Sequence, residues 1–348
     1  MPKTPEQVIR DEVRALTAYH VPDSAGMVKL DAMENPYALP EALRNELAGL
    51  ITSAELNRYP DAAATRLRSR LRESLGLTAE SELLLGNGSD EIIQMLMLAV
   101  ARPGAVVLGV EPSFVMFRLI ARWCGMRFES VALGTDFQLD LPAMHQAIAK
   151  HDPALIFIAY PNNPTGNLFD AQAIESIIAK ASGLVVVDEA YYSFAGKSFM
   201  PRLSAHPNLL VMRTLSKSGL AGLRLGLIAG AAGWLRHVDK VRLPYNINVL
   251  TQLVAEKVLQ NQPLLDRQAD AIKMERGRVL RELGRVPGVH AYPSDANFIL
   301  FRTVDADRVF GGLKRRGVLI KNLNGSHDAL SGCLRVTIGT PAENEQFL

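Results

Sequence analysis

The sequence predicts an α/β protein, with a large, mostly parallel sheet covered by helices and a smaller α+β unit after it. Three observations predict this. Short apolar runs at 83–85, 105–110, 154–160, 184–188 and 209–213 alternate with helix-like stretches at 90–100, 114–124, 141–150 and 171–181. Apolar runs without polar alternation mark strands buried on both faces, and helices between them make the sheet parallel. After Pro244 the rhythm changes to a long helical stretch over 249–283, a strand near 297–302, a helix near 306–316 and strands near 318–322 and 333–338. Finally, 348 residues exceed one ordinary core.

The remaining elements follow in order. Residues 1–29 read as an arm of mixed polarity, with prolines at 2, 5 and 22 and a short helical pattern over 5–16. A helix follows Pro40, with Leu43, Leu47 and Leu50 at helical spacing, and an arginine-rich one covers 62–75. A further strand over 224–229 has no clear helix before it, which leaves its direction open. The expected units are the arm 1–29, a large domain 30–245 and a small domain 246–348.

Composition excludes several classes. Apolar residues make up 48% and charged residues 21%, a soluble globular balance. The net charge of +2 gives no footprint for nucleic acid or a membrane surface, so any anion site must be local. No apolar run approaches the ~20 residues of a membrane span, and the polar start is unlike a signal peptide. Cys124 and Cys333 lie in apolar surroundings without metal-ligand spacing, as reduced thiols do, so a cytoplasmic protein without a metal is expected.

In open α/β sheets ligands bind beyond the carboxyl ends of the strands. Gly86-Asn87-Gly88-Ser89-Asp90-Glu91 offers a tight turn and a helix start to a phosphate; the plainer alternative is a turn capped by Ser89. It half matches a dinucleotide fingerprint, but Glu91 holds the third glycine position. Pro161-Asn162-Asn163-Pro164-Thr165-Gly166 presents an amide between two prolines, or is simply a turn. Asp188 ends an apolar strand, where a carboxylate needs a cation; a protonated pyridine nitrogen and a structural salt bridge both serve. Lys217 follows a strand and precedes a small, apolar stretch, a setting that lowers an amine's pKa and frees it to condense with an aldehyde. Ser216 and Arg224 suit a dianionic phosphate. Arg335, inside the apolar strand around 333–338, needs an anion, from a substrate or a structural partner. Together these features describe pyridoxal-phosphate (PLP) chemistry. A nicotinamide-dependent oxidoreductase on 86–91 leaves Lys217 unexplained, and a PLP-binding regulator lacks residues for a DNA-binding domain.

Asn163-Pro164-Thr165-Gly166, Asp188-Glu189-Ala190-Tyr191 and Ser216-Lys217 with Gly222-Leu223-Arg224 resemble the fold-type-I, class I/II aminotransferases. The segments 16–19, 29–36, 57–60 and 333–340 are similar to the histidinol-phosphate aminotransferase branch of that family. The resemblance implies a seven-stranded, mostly parallel sheet in a PLP-binding domain. It implies that Lys217 carries the cofactor and moves the proton, that Asp188 pairs with the ring nitrogen, and that Tyr191 and Asn163 bond the ring oxygen. Gly88, Ser89, Asp90, Ser216 and Arg224 would surround the phosphate, Phe114 would stack on the ring, and Tyr59 would reach the phosphate of the other subunit in a homodimer. Arg335 would take the substrate's anionic end, with Tyr19, Asn35, Tyr59, Asn163 and Lys321 near it. The implied reaction is reversible transamination between L-histidinol phosphate and 2-oxoglutarate in histidine biosynthesis, giving imidazole-acetol phosphate and L-glutamate. An aromatic aminotransferase or a threonine-phosphate decarboxylase is the alternative. Phe114 stands where relatives often have tyrosine, and Lys321 where a second arginine is common; lysine keeps the charge but not the fork.

Overall fold

The computed structural model describes residues 2–18 and 21–348. Its large sheet has seven strands: β1 (Ser81–Asn87), β2 (Val106–Glu111), β3 (Arg127–Ala132), β4 (Leu155–Ala159), β5 (Leu184–Asp188), β6 (Leu209–Thr214) and β7 (Leu225–Ala231), in the order β1-β7-β6-β5-β4-β2-β3. Only β7 runs against the rest, antiparallel to both β1 and β6. The other neighbours pair in parallel. The direction of β7 follows from its connection. Between β6 and β7 lie only two short 3-10 turns, Leu215–Ser218 and Ala221–Leu223, too little chain for a parallel crossover.

Side chains alternate between two cores, as a strand's period of two requires. On one face Val185, Val187, Leu209 and Val211 pack under the helices Thr65–Leu75, Leu141–His151 and Ala171–Lys180. On the other, Leu184, Val186, Leu210 and Met212 pack under Ser89–Val100, Met116–Trp123 and Ala232–Val238. β4 and β5 are buried along their whole length.

One strand is not predicted by the sequence, and two expected helices are corrected. β3 carries no continuous apolar run; it is an edge strand, and its Arg127 and Ser130 are exposed. The helix expected over 249–283 is two, Val249–Leu259 and Gln262–Leu283, divided just before Pro263, whose ring and missing N–H cannot continue a helix. The pattern over 5–16 is also two short helices, Pro5–Val8 and Asp11–Arg14.

The small sheet is antiparallel, in the order Lys321–Asn322, Cys333–Thr337, Phe298–Thr303, Val289–Ala291. Packing crosses the domain limits drawn from the sequence at two places. Val28–Lys29 pairs with Val318–Leu319, and Leu30 and Met33 join the small sheet's core with Phe298 and Val336. Conversely Ala255 and Leu259 lie in the core under the large sheet. No helix among the described residues is long and apolar enough to cross a membrane.

The contact of β7 with the start of the Ser89–Val100 helix leaves no room for a side chain. A Cβ on Gly226 would lie 2.5 Å from the carbonyl carbon of Gly88 and 2.6 Å from the Ser89 nitrogen. Gly226→Ala is therefore expected to destabilise the fold by about 1–3 kcal/mol, the usual cost of overpacking, read as a lower urea midpoint at unchanged m-value.

Candidate active site

Because the strands run in parallel, the segments after β1, β2, β4, β5 and β6 open on one edge of the sheet. They enclose a cavity of about 410 Å³. Its wall includes Ser89 and Asp90 after β1, Phe114 after β2, Asn163 after β4, Asp188 and Tyr191 at the end of β5, and Ser216, Lys217 and Arg224 between β6 and β7.

Asp188 is 4% exposed, and its carboxylate accepts one hydrogen bond, from the Ala190 N–H at 3.1 Å. Burial pushes its pKa up to about 7, and the charges of Asp90 and Glu189 add to the rise. The Lys217 amine donates to the Ala32 carbonyl at 3.3 Å. Burial first and the Arg335 guanidinium second push its pKa down to about 8. The Tyr191 phenol is buried and its pKa is raised, chiefly by burial. It accepts from the Asn163 amide at 3.2 Å, while the oxygen of that amide accepts from Arg335 Nη1. Arg335 also donates through Nη2 to the Asp31 carbonyl at 3.0 Å, and its guanidinium lies 5.2 Å from the centre of the Phe298 ring.

A second group of residues forms an anion cradle. Gly88 caps the Ser89–Val100 helix at φ 81°, and a Cβ there would lie 2.7 Å from Arg224 Nη2. Arg224 itself has the left-handed φ of 51°. Its Nη1 donates to the Ser216 hydroxyl at 3.5 Å, and its Nη2 lies 3.5 Å from Asp90. The helix start and the guanidinium thus face the same space, which favours a phosphate. The Asp90 carboxyl is raised by burial against the pull of Arg224, and its Oδ1 is buried without a hydrogen-bond partner.

Several candidates stand elsewhere. Asn35 does not line the cavity; its amide donates to Gln268 at 3.0 Å and accepts from the Tyr37 N–H at 2.9 Å, so it fixes the segment that carries Ala32. Tyr59 is 80% exposed and stacks on Tyr245, with ring centres 4.4 Å apart. Lys321 lines a neighbouring cavity together with Arg335. Tyr19 lies outside the described residues. Cys333 is buried but Cys124 only partly so.

Two supports were missed from the sequence. Thr214 donates to the Ser216 hydroxyl at 2.9 Å and accepts from its N–H at 3.2 Å. Glu189, fully buried, accepts from Ser198 and from Arg213 Nε, each at 2.9 Å, which ties the end of β5 to β6. A carboxylate directly after a buried strand, with an arginine near the end of the next, was the available signal.

A phosphate, a ring nitrogen and an aldehyde on one small molecule match the cradle, the desolvated Asp188 carboxylate and the Lys217 amine, so the residues fit PLP. The chain belongs to the aminotransferase class I and II family, whose model matches residues 25–348. Within that class its similar relatives are histidinol-phosphate aminotransferases. One from Nitrosococcus oceani is 54% identical over 98% of this chain and 96% of its own length. One from Cupriavidus pinatubonensis is 54% identical over 100% and 96%. Among solved structures, the Sinorhizobium meliloti histidinol-phosphate aminotransferase in complex with pyridoxal-5'-phosphate superposes with a TM-score of 0.86 at 22% identity, over 97% of this chain and 94% of that one.

Only the neutral amine attacks a carbonyl, and at pH 7 a group with a pKa of about 8 is neutral in about one molecule in ten. The rate of cofactor capture by the stripped protein, followed by absorbance, is expected to rise with pH through about 8 and then level off. A rate still climbing toward the ordinary lysine range would contradict the desolvated amine.

Proposed function

We propose that this chain is a PLP-dependent transaminase acting between L-histidinol phosphate and 2-oxoglutarate, and so takes part in histidine biosynthesis. The observation that carries this is the placing of Arg335 one asparagine away from Tyr191, whose ring centre lies 6.0 Å from the Lys217 amine, which sets a candidate anion-binding group near an amine suited to proton transfer. Relatives of that name at 54% identity support the choice of substrate.

PLP supplies an electron sink for the pair released when the amino-bearing carbon loses its proton. Asp188 keeps a charge against the ring nitrogen and holds it protonated, since leaving that carboxylate buried without a cation is unfavourable. Asn163 and Tyr191 orient the ring's oxygen by the hydrogen bond they already share. Gly88, Ser89, Ser216 and Arg224 bind the phosphate, with Asp90 fixing Arg224 by its ion pair. Phe114, on the cavity wall, would stack on the ring. Lys217 would anchor the cofactor, and its amine would hold and move the proton. Arg335, with Lys321 beside it across the small sheet, holds the substrate's anionic end, a phosphate in one half-reaction and a carboxylate in the other.

The protein is further proposed to work in the cytoplasm as a homodimer in which exposed Tyr59 reaches the partner's cofactor phosphate. Neither nucleic acid nor membrane enters this reading.

In a coupled assay, histidinol phosphate and 2-oxoglutarate are expected to yield glutamate without release of carbon dioxide; carbon dioxide in stoichiometric amount would instead identify a decarboxylase. Asp188→Asn is expected to lower kcat about a hundredfold or more, the scale of removing one preorganised charge, while the folded far-UV signal is kept. For the dimer, Tyr59→Phe is expected to speed cofactor loss without changing the sedimentation coefficient of a two-chain species; a monomeric sedimentation coefficient would refute the shared site.

A further inference from the structure

Beyond Phe114 and Asn163 lies a second cavity of about 340 Å³, which shares those residues and Met33 with the first. Among the described residues its one carboxylate, Glu111, is already engaged: Arg118 stands 2.8 Å away and the Ser130 hydroxyl donates at 2.9 Å. Asp307, on the adjacent helix, accepts from the Asn322 and Asn324 amides at 2.7 and 3.0 Å. The cavity therefore presents positive charge from Lys321 and Arg335, which lie opposite each other in register.

These two cations differ in what they can direct. A guanidinium grips two oxygens of an anion in a plane, whereas an ammonium is a point charge on a flexible stem. A carboxylate has two oxygens and is satisfied by such a fork. A phosphate monoester has a third terminal oxygen out of that plane, which Lys321 attracts but does not orient. His327 lines the same cavity. Its Nδ1 accepts from the Ala329 N–H at 3.1 Å, which puts the proton of the neutral ring on Nε2 and makes that nitrogen a donor. The loop that carries it is pinned. The Asn324 side-chain Oδ1 accepts from the Gly332 N–H at 2.9 Å, the Ser326 hydroxyl donates to the Leu323 backbone carbonyl at 2.6 Å, and the Leu330 N–H returns to the His327 backbone carbonyl at 2.9 Å.

We infer that His327 is a specificity-determining residue whose Nε2–H, beside Lys321, binds the third oxygen of the substrate's phosphate and so separates a phosphate monoester from a carboxylate; this rests on the proposed use of histidinol phosphate. The glutamate half-reaction does not need that donor.

The experiment compares His327→Leu and His327→Gln in the holoenzyme. His327→Leu is expected to raise the KM for histidinol phosphate about tenfold, the scale of one charge-assisted hydrogen bond, with the KM for glutamate within about twofold. The unchanged glutamate reaction also shows that the variant is folded. His327→Gln keeps an N–H donor and recovers most of the loss. Binding of histidinol phosphate to borohydride-reduced holoenzyme, which cannot turn over, shows the same loss without any activity. Equal weakening toward both substrates, or none toward histidinol phosphate, overturns the assignment. If the unaltered enzyme does not accept histidinol phosphate, the substrate reading fails on its own. Inhibition of the glutamate half-reaction by inorganic phosphate then decides the role of His327: a weaker inhibition in His327→Leu supports the donor, and an equal one overturns it.

Discussion

The site depends on one unfavourable placement, an aspartate at the end of a fully buried strand. The Ala190 N–H, two residues past Asp188, gives its carboxylate one hydrogen bond, and burial holds its pKa near 7. Lys217 suffers the opposite displacement in the same cavity, toward 8. Two ionisable groups pushed toward each other's range are poor contributors to stability and good ones to proton chemistry. The stability comes from elsewhere, from the continuous apolar strands β4 to β6 between two helix layers. A rigid sheet can carry such groups at its edge because the cost of displacing its strands exceeds the cost of desolvating the charge.

The groups around Asp188 hold the strand ends in place. Glu189 points away from the cavity and ties β5 to β6 through Arg213 and Ser198. Arg213 also lies 3.5 Å from the centre of the Tyr192 ring. This clamp works from the opposite side of the sheet to the cavity, so it fixes the separation of Asp188 from the loop carrying Lys217 without occupying the space between them. Thr214 does the same for Ser216 at closer range.

The fold was legible in the sequence where burial was complete. The strands at 154–160, 184–188 and 209–213 needed no tertiary information, because strands covered on both faces leave an unbroken apolar run. The edge strand β3 was not legible, since half of it faces solvent and its polar residues mask the pattern. The break before Pro263 was legible in principle, and the helical period on both sides concealed it. In the site, Asp188, Lys217 and Asn163 were readable because each is chemically out of place beside a strand. Asn35 was misplaced for the opposite reason: an amide is at home in either a cavity or a loop, and only its distant partner Gln268 decides between them. Residues paired across hundreds of positions, such as Arg335 with Asn163, have their chemistry in the sequence but not their geometry.

That last contact explains how one site could serve two dissimilar substrates. The large sheet holds the groups proposed to act on the reacting carbon, and the small unit contributes Arg335, Lys321 and the loop up to residue 332. Asn163 bonds to both sides, giving its amide hydrogen to Tyr191 and accepting at its oxygen from Arg335. An anion held on Arg335, whichever it is, would therefore be registered against the proposed reaction centre through one planar group of fixed length. Changes in the loop between Lys321 and Arg335 can alter which anion is preferred while leaving Asp188 and Lys217 undisturbed. In this reading chemistry and specificity are assigned to two units of the fold, which also pack against each other through Tyr191 and Phe298, with ring centres 5.1 Å apart.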